Sequence, residues 1–342
     1  MVGGDILNTI WKDLLRGAVL GFALPAMILA VAWMLPALEE PQAESTTPTT
    51  ALPASKPSFV PTLPDETEPE PALMIPVMTQ DGPTEMELET YVMGVVLAEV
   101  PGSFSLEALK AQSVAARTFA LRVCRDGRHD GAVCLDFGCC QGYCSAEAYL
   151  AQGGQQELLD RIVAAVQATE GQVLTFDGEV ICATYFSCSG GSTEAAVAVW
   201  GSEVPYLQAV ESPGEEFAQE FFYRKEFSLD AFQDALCVFL PDDPSTWFGQ
   251  IVYTEGGGVD NIEIGGVCYR GTTIRSLLGL RSTAFTVSVT GESIVIDTLG
   301  YGHRVGMSQY GAEAMAQEGY SYDQILFHYY LGVTLQTYIP NE

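Results

Sequence analysis

Basic residues are scarce in this sequence, and their scarcity restricts the class of partner. The 342 residues include 15 Lys and Arg against 44 Asp and Glu, a formal net charge of −29. Proteins that bind nucleic acid carry basic patches that neutralise phosphates. The charge balance therefore argues against a nucleic-acid partner. The sequence also contains no internal repeat, and its length allows one large domain or two ordinary ones.

Charged residues are absent from residues 17–38, which are mostly Ala, Leu, Val, Met and Phe. This run is long enough to span a bilayer as a helix. Lys12 and Arg16 precede it and Glu39 follows, so residues 1–16 are predicted to stay in the cytoplasm and the remainder to lie outside. A cleaved signal peptide and a buried core helix are the alternatives, but the length of the run favours a single-pass anchor.

Residues 39–83 are rich in Pro, Thr, Glu, Ser and Ala. Such a segment buries too little apolar surface to fold, so we predict a disordered acidic tether. Within it, residues 72–78 (ALMIPVM) are a candidate first strand of the folded part. Residues 84–342 form the predicted folded domain, and the 48% hydrophobic content is enough for a sizeable core.

Residues 87–121 predict two helices separated by one proline. The apolar residues of the first recur on one helical face: Leu88, Tyr91, Val92, Val95 and Val96. Glu99 takes the next position on that face, and Pro101 ends the helix there. A desolvated carboxyl group tends to keep its proton, as a general acid requires. The alternative is that Glu99 forms an ion pair with Lys110 or Arg117, which share one face of the second helix. Ser103 or Ser105 is expected to cap that helix.

A cysteine-rich loop follows, with the spacing His129-x4-Cys134-x4-Cys139-Cys140-x3-Cys144. Four soft ligands within so short a segment can close a tetrahedral zinc site. Disulfides are the alternative in an exported protein. The chain has nine cysteines, an odd number, so complete pairing within one chain is impossible.

The rest of the chain mixes helices and strands. Residues 155–169 have helical periodicity, and Asp177-Gly178 between two apolar runs predicts a β-hairpin. A helix capped at Ser228, another from about Ser308 to Gly319 and a third near Tyr322 are also expected. The predicted fold is therefore α+β, with a helical lobe packed on small antiparallel sheets or a barrel.

Two segments of this sequence are similar to the signatures of the stage II sporulation protein D family. The first is YVMGVVLAEVPGSFSLEALKAQSVAARTFAL, and the second, GYGHRVGMSQYGA, lies near the C-terminus. The resemblance covers residues 85–338. It implies a lytic transglycosylase that cuts the glycan strands of the cell wall, with Glu99 as the catalytic acid/base.

The resemblance also implies the other site residues. Lys110 and Arg117 would position Glu99 or the sugar. A structural zinc would be held by His129, Cys134, Cys139 and Cys140, with Cys144 as a competing ligand. The remaining substrate-binding candidates come from the SGGST, Pro-Tyr-Leu and GYGHRVGMSQYGA segments: Thr193, Tyr206, His303, Ser308 and Gln309. For Tyr206 and His303, packing against the core is the alternative.

This sequence departs from the family pattern at three positions. Cys139 stands where a second histidine is expected, Gln208 replaces a lysine, and Arg304 replaces a glycine. Arg304 is expected either to alter its loop or to add a cation to the cleft.

The resemblance implies a context of endospore engulfment. The substrate would be glycan stripped of stem peptides, and the partners would be a cell-wall amidase and other engulfment proteins. The chain would lie in the mother-cell membrane facing the forespore. Two other functions are considered: a non-catalytic enhancer of an N-acetylmuramoyl-L-alanine amidase, favoured by Gln208 and Arg304, and a zinc hydrolase acting through the cysteine loop.

Overall fold

The computed structural model describes residues 72–340. This range does not include the predicted cytoplasmic N-terminus (1–16) or the predicted anchor (17–38). It includes only the end of the predicted tether (39–83). Within residues 72–340, no helix combines the length and the apolar character that a bilayer span needs. The chain starts its first strand at Met74, ahead of the predicted boundary at residue 84 and inside the segment singled out as a candidate strand.

Helices α1 to α9 of the described residues are Leu88–Glu99, Leu106–Arg125, Ala146–Ala151, Gln156–Ala168, Ala196–Trp200, Leu229–Leu236, Gly271–Leu278, Gln309–Gln317 and Tyr322–Tyr329. Strands β1 to β8 are Met74–Thr79, Gly82–Glu87, Val133–Cys134, Gln172–Phe176, Glu179–Val180, Tyr185–Phe186, Gly191–Ser192 and Glu211–Ser212. Strands β9 to β16 are Phe222–Ser228, Phe248–Tyr253, Val259–Ile264, Val267–Arg270, Phe285–Thr290, Ser293–Leu299, Met307–Ser308 and Thr334–Thr337.

The first hydrophobic core forms around α2. Its Ala-rich sequence is buried on nearly every side, as expected of a helix enclosed by other elements. Helices α1, α4, α8 and α9 pack against it. The apolar face predicted for α1 is buried as expected, and α1 ends at Glu99. Ser105 is the N-cap residue of α2, but its hydroxyl donates to Glu313 Oε1 and does not cap the helix.

A second core lies between two three-stranded sheets, β10-β11-β12 and β13-β14-β9, together with α6 and α7. Phe232 of α6 is fully buried there against Trp247 and Phe248. Ser228 caps α6 as predicted, by accepting a hydrogen bond from the Ala231 N–H.

The sheets of the described residues are small and open, which confirms the mixed α+β class with small sheets. The alternative of a barrel is wrong. Most strand pairs are antiparallel, but β1 with β3 and β6 with β15 are parallel. The hairpin at Asp177-Gly178 is present between β4 and β5. Both turn residues have positive φ, +51° and +80°, as a two-residue type I′ turn requires.

Candidate active site

Glu99 is the last residue of α1, where Pro101 prevents the helix from continuing. Its side chain is half-buried. Oε1 accepts a hydrogen bond of 2.7 Å from the Gly142 N–H, and Gln309 Nε2 lies 3.5 Å from Oε2. The carboxyl group is therefore held by one backbone donor from the cysteine-rich loop and approached by one side chain from α8.

Two grooves meet at Glu99. The larger has a volume of about 920 Å³ and the smaller about 170 Å³. Both are lined by Glu99, Ser187, Tyr301 and Gln309. The larger groove adds aromatic side chains, Phe119, Phe137, Tyr185, Phe186 and Trp200, and the arginines Arg122, Arg128 and Arg275. Such a mixture of aromatic surface and a few polar groups is typical of ligand sites.

Gln141 anchors the segment that carries Gly142. It is buried, accepts a 3.1 Å hydrogen bond from the Tyr91 hydroxyl, and donates through Nε2 to the Tyr185 hydroxyl at 2.7 Å. Burial raises the pKa of both tyrosines above its ordinary value, so both hydroxyls stay protonated. These bonds fix the position of the Gly142 N–H relative to Glu99.

The cysteine-rich loop brings together the four predicted metal ligands. The ligand atoms of His129, Cys134, Cys139 and Cys140 all lie within 4.8 Å of one another, with His129 Nε2 3.2 Å from Cys139 Sγ. Cys144 is outside this cluster, and all nine cysteines are free thiols. In a tetrahedral site with Zn–S bonds of about 2.3 Å, neighbouring sulfurs lie roughly 3.8 Å apart. The four donors therefore fit a zinc ion.

Two thiols of this cluster have a raised pKa. Burial raises the pKa of Cys140 to about 12, and a hydrogen bond with Cys134 raises the pKa of Cys139. A bound cation would reverse this shift, because a coordinating thiol is deprotonated by the metal.

His303 lines the larger groove between Phe186 and Trp200, with ring centroids 5.6 and 5.4 Å away. Its Nδ1 accepts a 3.1 Å hydrogen bond from the Val305 N–H. Burial, and then the charge of Arg275, lower its pKa to about 4. A neutral imidazole engaged by backbone groups fits a role in lining the groove better than one in proton transfer.

Comparison with known sequences identifies relatives of this chain. A family model described as "Stage II sporulation protein" matches residues 81–176, which include Glu99 and the cysteine-rich loop. Two proteins named stage II sporulation protein D, from Bacillus amyloliquefaciens and Bacillus subtilis (strain 168), are each 40% identical to this chain over 255 residues, covering 72% of this chain and 74% of the relative. The chain belongs to the stage II sporulation protein D family. An amidase enhancer from Bacillus subtilis (strain 168) is 30% identical over 303 residues, covering 72% of this chain and 40% of the enhancer.

Two cations predicted beside Glu99 have other partners. Arg117 is fully buried and forms a bidentate pair with Glu89, with Nε to Oε1 at 2.8 Å and Nη2 to Oε2 at 2.5 Å. Lys110 pairs with Glu107 at 2.7 Å. Neither residue lines the grooves. The expectation that they position Glu99 is corrected, because each is neutralised by a carboxylate nearer in space.

Three other candidate site residues have structural contacts instead of a place in the grooves. Thr193 is buried, and its Oγ1 accepts from the Val210 N–H at 2.9 Å. The Tyr206 hydroxyl accepts from the Cys182 N–H at 3.0 Å, and its ring packs on Phe176. Ser308 caps α8 by accepting from the Gly311 N–H. Of the substrate-binding candidates, His303 and Gln309 are therefore the ones that reach the grooves.

Arg304 does not add a cation to the cleft. It is buried and, with a φ of +65°, lies in the left-handed region that favours glycine. Its guanidinium donates to the carbonyl oxygens of Ser189, Ser192 and Gly256, each at 2.7 Å, and lies 3.1 Å from Glu194 Oε1. Gln208 likewise donates to a neighbouring carbonyl, that of Val204. Both departures from the family pattern are accommodated inside the fold.

Sequence reasoning missed several groups of the site. One of them, the Gly142 N–H, contacts Glu99 directly. The only feature of the sequence that could have indicated it is a glycine two residues after Cys140, the last predicted metal ligand. Glu220 in the smaller groove and Arg275 in the larger one come from segments without a recognisable motif. Tyr301 lines both grooves and lies within the second signature segment, but it was not singled out.

Proposed function

We propose that this protein is a membrane-anchored lytic transglycosylase that cleaves bonds between N-acetylmuramic acid and N-acetylglucosamine in peptidoglycan during endospore engulfment. The observation that carries the proposal is the position of Glu99, a held carboxyl group at the junction of two grooves. The preferred substrate is glycan freed of stem peptides by a partner amidase. The site faces the wall from the mother-cell membrane, where other engulfment proteins act.

In the proposed first step, protonated Glu99 donates to the glycosidic oxygen. An oxocarbenium-like state forms at the anomeric carbon, and the substrate's own acetamido group stabilises it. The Gly142 N–H and Gln309 then stabilise the carboxylate, since a charge-assisted hydrogen bond is stronger than one to the neutral acid.

In the second step, ionised Glu99 takes the proton from the C6 hydroxyl of the muramic residue. The C6 oxygen attacks the anomeric carbon and closes an anhydro ring. No water is consumed, so one carboxyl group can serve as acid and then as base. A hydrolase would need a second carboxylate to activate water or to form a covalent intermediate.

Two other carboxylates line the grooves. Asp126 is engaged through both oxygens by Arg122 Nε, at 2.8 and 2.9 Å. Glu220 lines the smaller groove with Glu99 and is half-buried. Glu220 is therefore the group that a hydrolytic mechanism would use, and the transglycosylase proposal requires that it be dispensable.

The zinc that His129, Cys134, Cys139 and Cys140 fit would be structural. It would close the loop that leads, two residues later, to the Gly142 N–H. Four protein ligands leave no open position for a catalytic water, so the cluster does not favour a zinc hydrolase.

A second candidate function is a non-catalytic enhancer of an amidase. The 30% identity to an amidase enhancer favours it. Gln208 and Arg304 do not favour the enhancer over the enzyme, because neither residue lines the grooves.

The test is to incubate the full chain with amidase-stripped peptidoglycan and analyse the products by mass spectrometry. We expect anhydro-muramic ends from the wild type and from Glu220→Gln, and none from Glu99→Gln, which should unfold at the wild-type temperature. Ordinary reducing ends that disappear in Glu220→Gln would establish hydrolysis instead. Absence of products with glycan binding retained would favour the enhancer.

A further inference from the structure

The larger groove contains one cation without a partner. Arg275 makes no side-chain hydrogen bond and no ion pair with any residue of the described range 72–340. The other two arginines of the groove are engaged: Arg122 by Asp126, and Arg128 by the Cys139 carbonyl oxygen at 3.1 Å. A protein with a net charge of −29 thus leaves the Arg275 guanidinium, in its larger groove, without any side-chain hydrogen bond or ion pair among residues 72–340.

The fold explains how this side chain reaches the groove. Arg275 lies in α7, whose Ile274 and Leu278 are buried in the second core. These two apolar residues are four apart and hold one face of the helix on the sheets, while Arg275 lines the groove on another face. The side chain is half-buried and close enough to His303 for its charge to lower the pKa of that imidazole.

An unpaired, partly desolvated guanidinium is costly unless a ligand supplies the missing anion. Burial also lowers the pKa of Arg275, although a guanidinium keeps its charge in proteins. Its planar fork of donors matches a carboxylate. The same groove presents aromatic side chains, among them Trp200 and Tyr301, against which a sugar ring can pack.

We propose that Arg275 is the specificity residue of this groove and binds the lactyl carboxylate that a muramic acid residue exposes once its stem peptide has been removed. This inference rests on the proposed peptidoglycan substrate. It gives a physical reason for a preference for stripped glycan: an intact stem peptide converts that carboxylate into a neutral amide.

The test uses two forms of one polymer. Amidase-stripped glycan carries free lactyl carboxylates, and the same glycan treated with a carbodiimide and methylamine carries neutral methylamides. Binding of each is measured by co-sedimentation or fluorescence anisotropy with the full chain bearing Glu99→Gln, so that no cleavage intervenes. We expect the carboxylate form to bind roughly ten- to a hundredfold more tightly, as expected for a hydrogen-bonded charge pair.

In that background Arg275→Gln should abolish the preference by weakening binding of the carboxylate form alone, and Arg275→Lys should retain part of it. Arg224→Gln is the matched control. It removes one positive charge from the part of the fold that contains the second core, where exposed Arg224 pairs with half-buried Asp297, and it should leave the preference unchanged. Thermal unfolding of each variant checks the fold.

If Arg275→Gln weakens binding of both glycan forms equally, Arg275 has a structural role and the inference is overturned. A preference for the carboxylate form that survives the substitution would also overturn it. Because this readout is binding, it is independent of catalysis. If Arg275→Gln abolishes the preference in this assay and the protein with Glu99 intact cleaves no glycan, the inference is upheld while the transglycosylase proposal is overturned.

Discussion

At the scale of single residues, Glu99 is defined by the groups that contact it. The sequence singles it out as an acidic residue at the end of an apolar helical face. In the structure a backbone N–H and a side-chain amide approach its carboxyl group. Neither a lysine nor an arginine neutralises it within residues 72–340. The two donors that contact its oxygens, the Gly142 N–H and Gln309 Nε2, are both neutral.

We predict that Gly142→Ala lowers kcat by about tenfold, since small misplacements of a catalytic group are costly. A Cβ at this position would lie 3.1 Å from Glu99 Oε1 and displace the carboxyl group. Gly138→Ala, on the same loop, is the control, because its Cβ would meet only Asp136 Oδ1, at 3.3 Å. Anhydro product formation measures both. A wild-type kcat in Gly142→Ala would show that this contact does not position Glu99.

His303 predicts a pH dependence of stability. Its folded pKa of about 4 lies below the value of about 6.5 for a free imidazole. Between these values the unfolded chain binds more protons, so the free energy of unfolding decreases as the pH falls from about 6.5 to 4, by roughly 1 to 3 kcal/mol. Above that window His303 contributes no pH dependence.

The His303→Asn variant keeps an acceptor for the Val305 N–H but cannot titrate. Urea unfolding of both proteins at several pH values should show the steeper decline in the wild type. Parallel profiles would mean that His303 is protonated alike in the folded and unfolded states.

At the scale of elements, the cysteine-rich loop links the four candidate metal ligands to the Glu99 carboxyl group. Cys140, Gln141 and Gly142 are consecutive: the first belongs to the cluster, the second is anchored by Tyr91 and Tyr185, and the third donates to Glu99. The order of the loop therefore determines whether Glu99 is held.

We predict that the purified protein contains about one zinc per chain and that Cys134→Ser loses it, because a tetrahedral structural site needs all four ligands. Chelation should lower the unfolding temperature, since metal binding contributes directly to folding. Elemental analysis and thermal unfolding provide the readouts. Cys144→Ser is the matched control and should keep the metal, because Cys144 lies outside the cluster. Equal loss in both variants, or a disulfide detected by mass in the wild type, would contradict the assignment.

At the scale of the whole molecule, Arg304 and Glu194 connect the parts of the fold that contain the two cores. Arg304 donates to the carbonyls of Ser189 and Gly256, which lie on either side of this connection. Glu194 Oε1 accepts from Thr254 Oγ1 at 2.8 Å and from the Gly258 N–H at 2.9 Å. The larger groove is lined by residues of both parts, among them Phe119 of α2 and Arg275 of α7.

We predict that Arg304→Gly destabilises the protein even though it restores the residue type that the family pattern has there. Glycine relieves the left-handed backbone by about 1 kcal/mol. The substitution also leaves the buried Glu194 carboxylate unpaired, which costs about 3 to 5 kcal/mol. The double variant Arg304→Gly/Glu194→Gln should recover most of the loss in urea denaturation. A single variant as stable as the wild type would show that the pair contributes nothing.

The sequence by itself determined the local elements. The end of α1 at Glu99, the Asp177-Gly178 hairpin, the cap at Ser228 and the start of a helix near Ser308 follow from side-chain periodicity and turn chemistry. These act between residues a few positions apart. The four candidate metal ligands were recognisable because all lie within one short loop, and the structure brings their ligand atoms within 4.8 Å of one another. Glu99 was singled out from its place on a helical face together with the family resemblance.

Only the tertiary structure decided which groups meet. Gly142 and Gln309, which surround Glu99, are 43 and 210 residues away from it in sequence. Arg117 lies on a predicted face yet pairs with Glu89, because several carboxylates of one chain compete for each cation and the packing of α1, α2 and α4 decides the outcome. Arg304 is buried and Arg275 is left unpaired in the groove for the same reason. The partner of a charged side chain is set by the folded neighbours that desolvate it, and no sequence spacing specifies those.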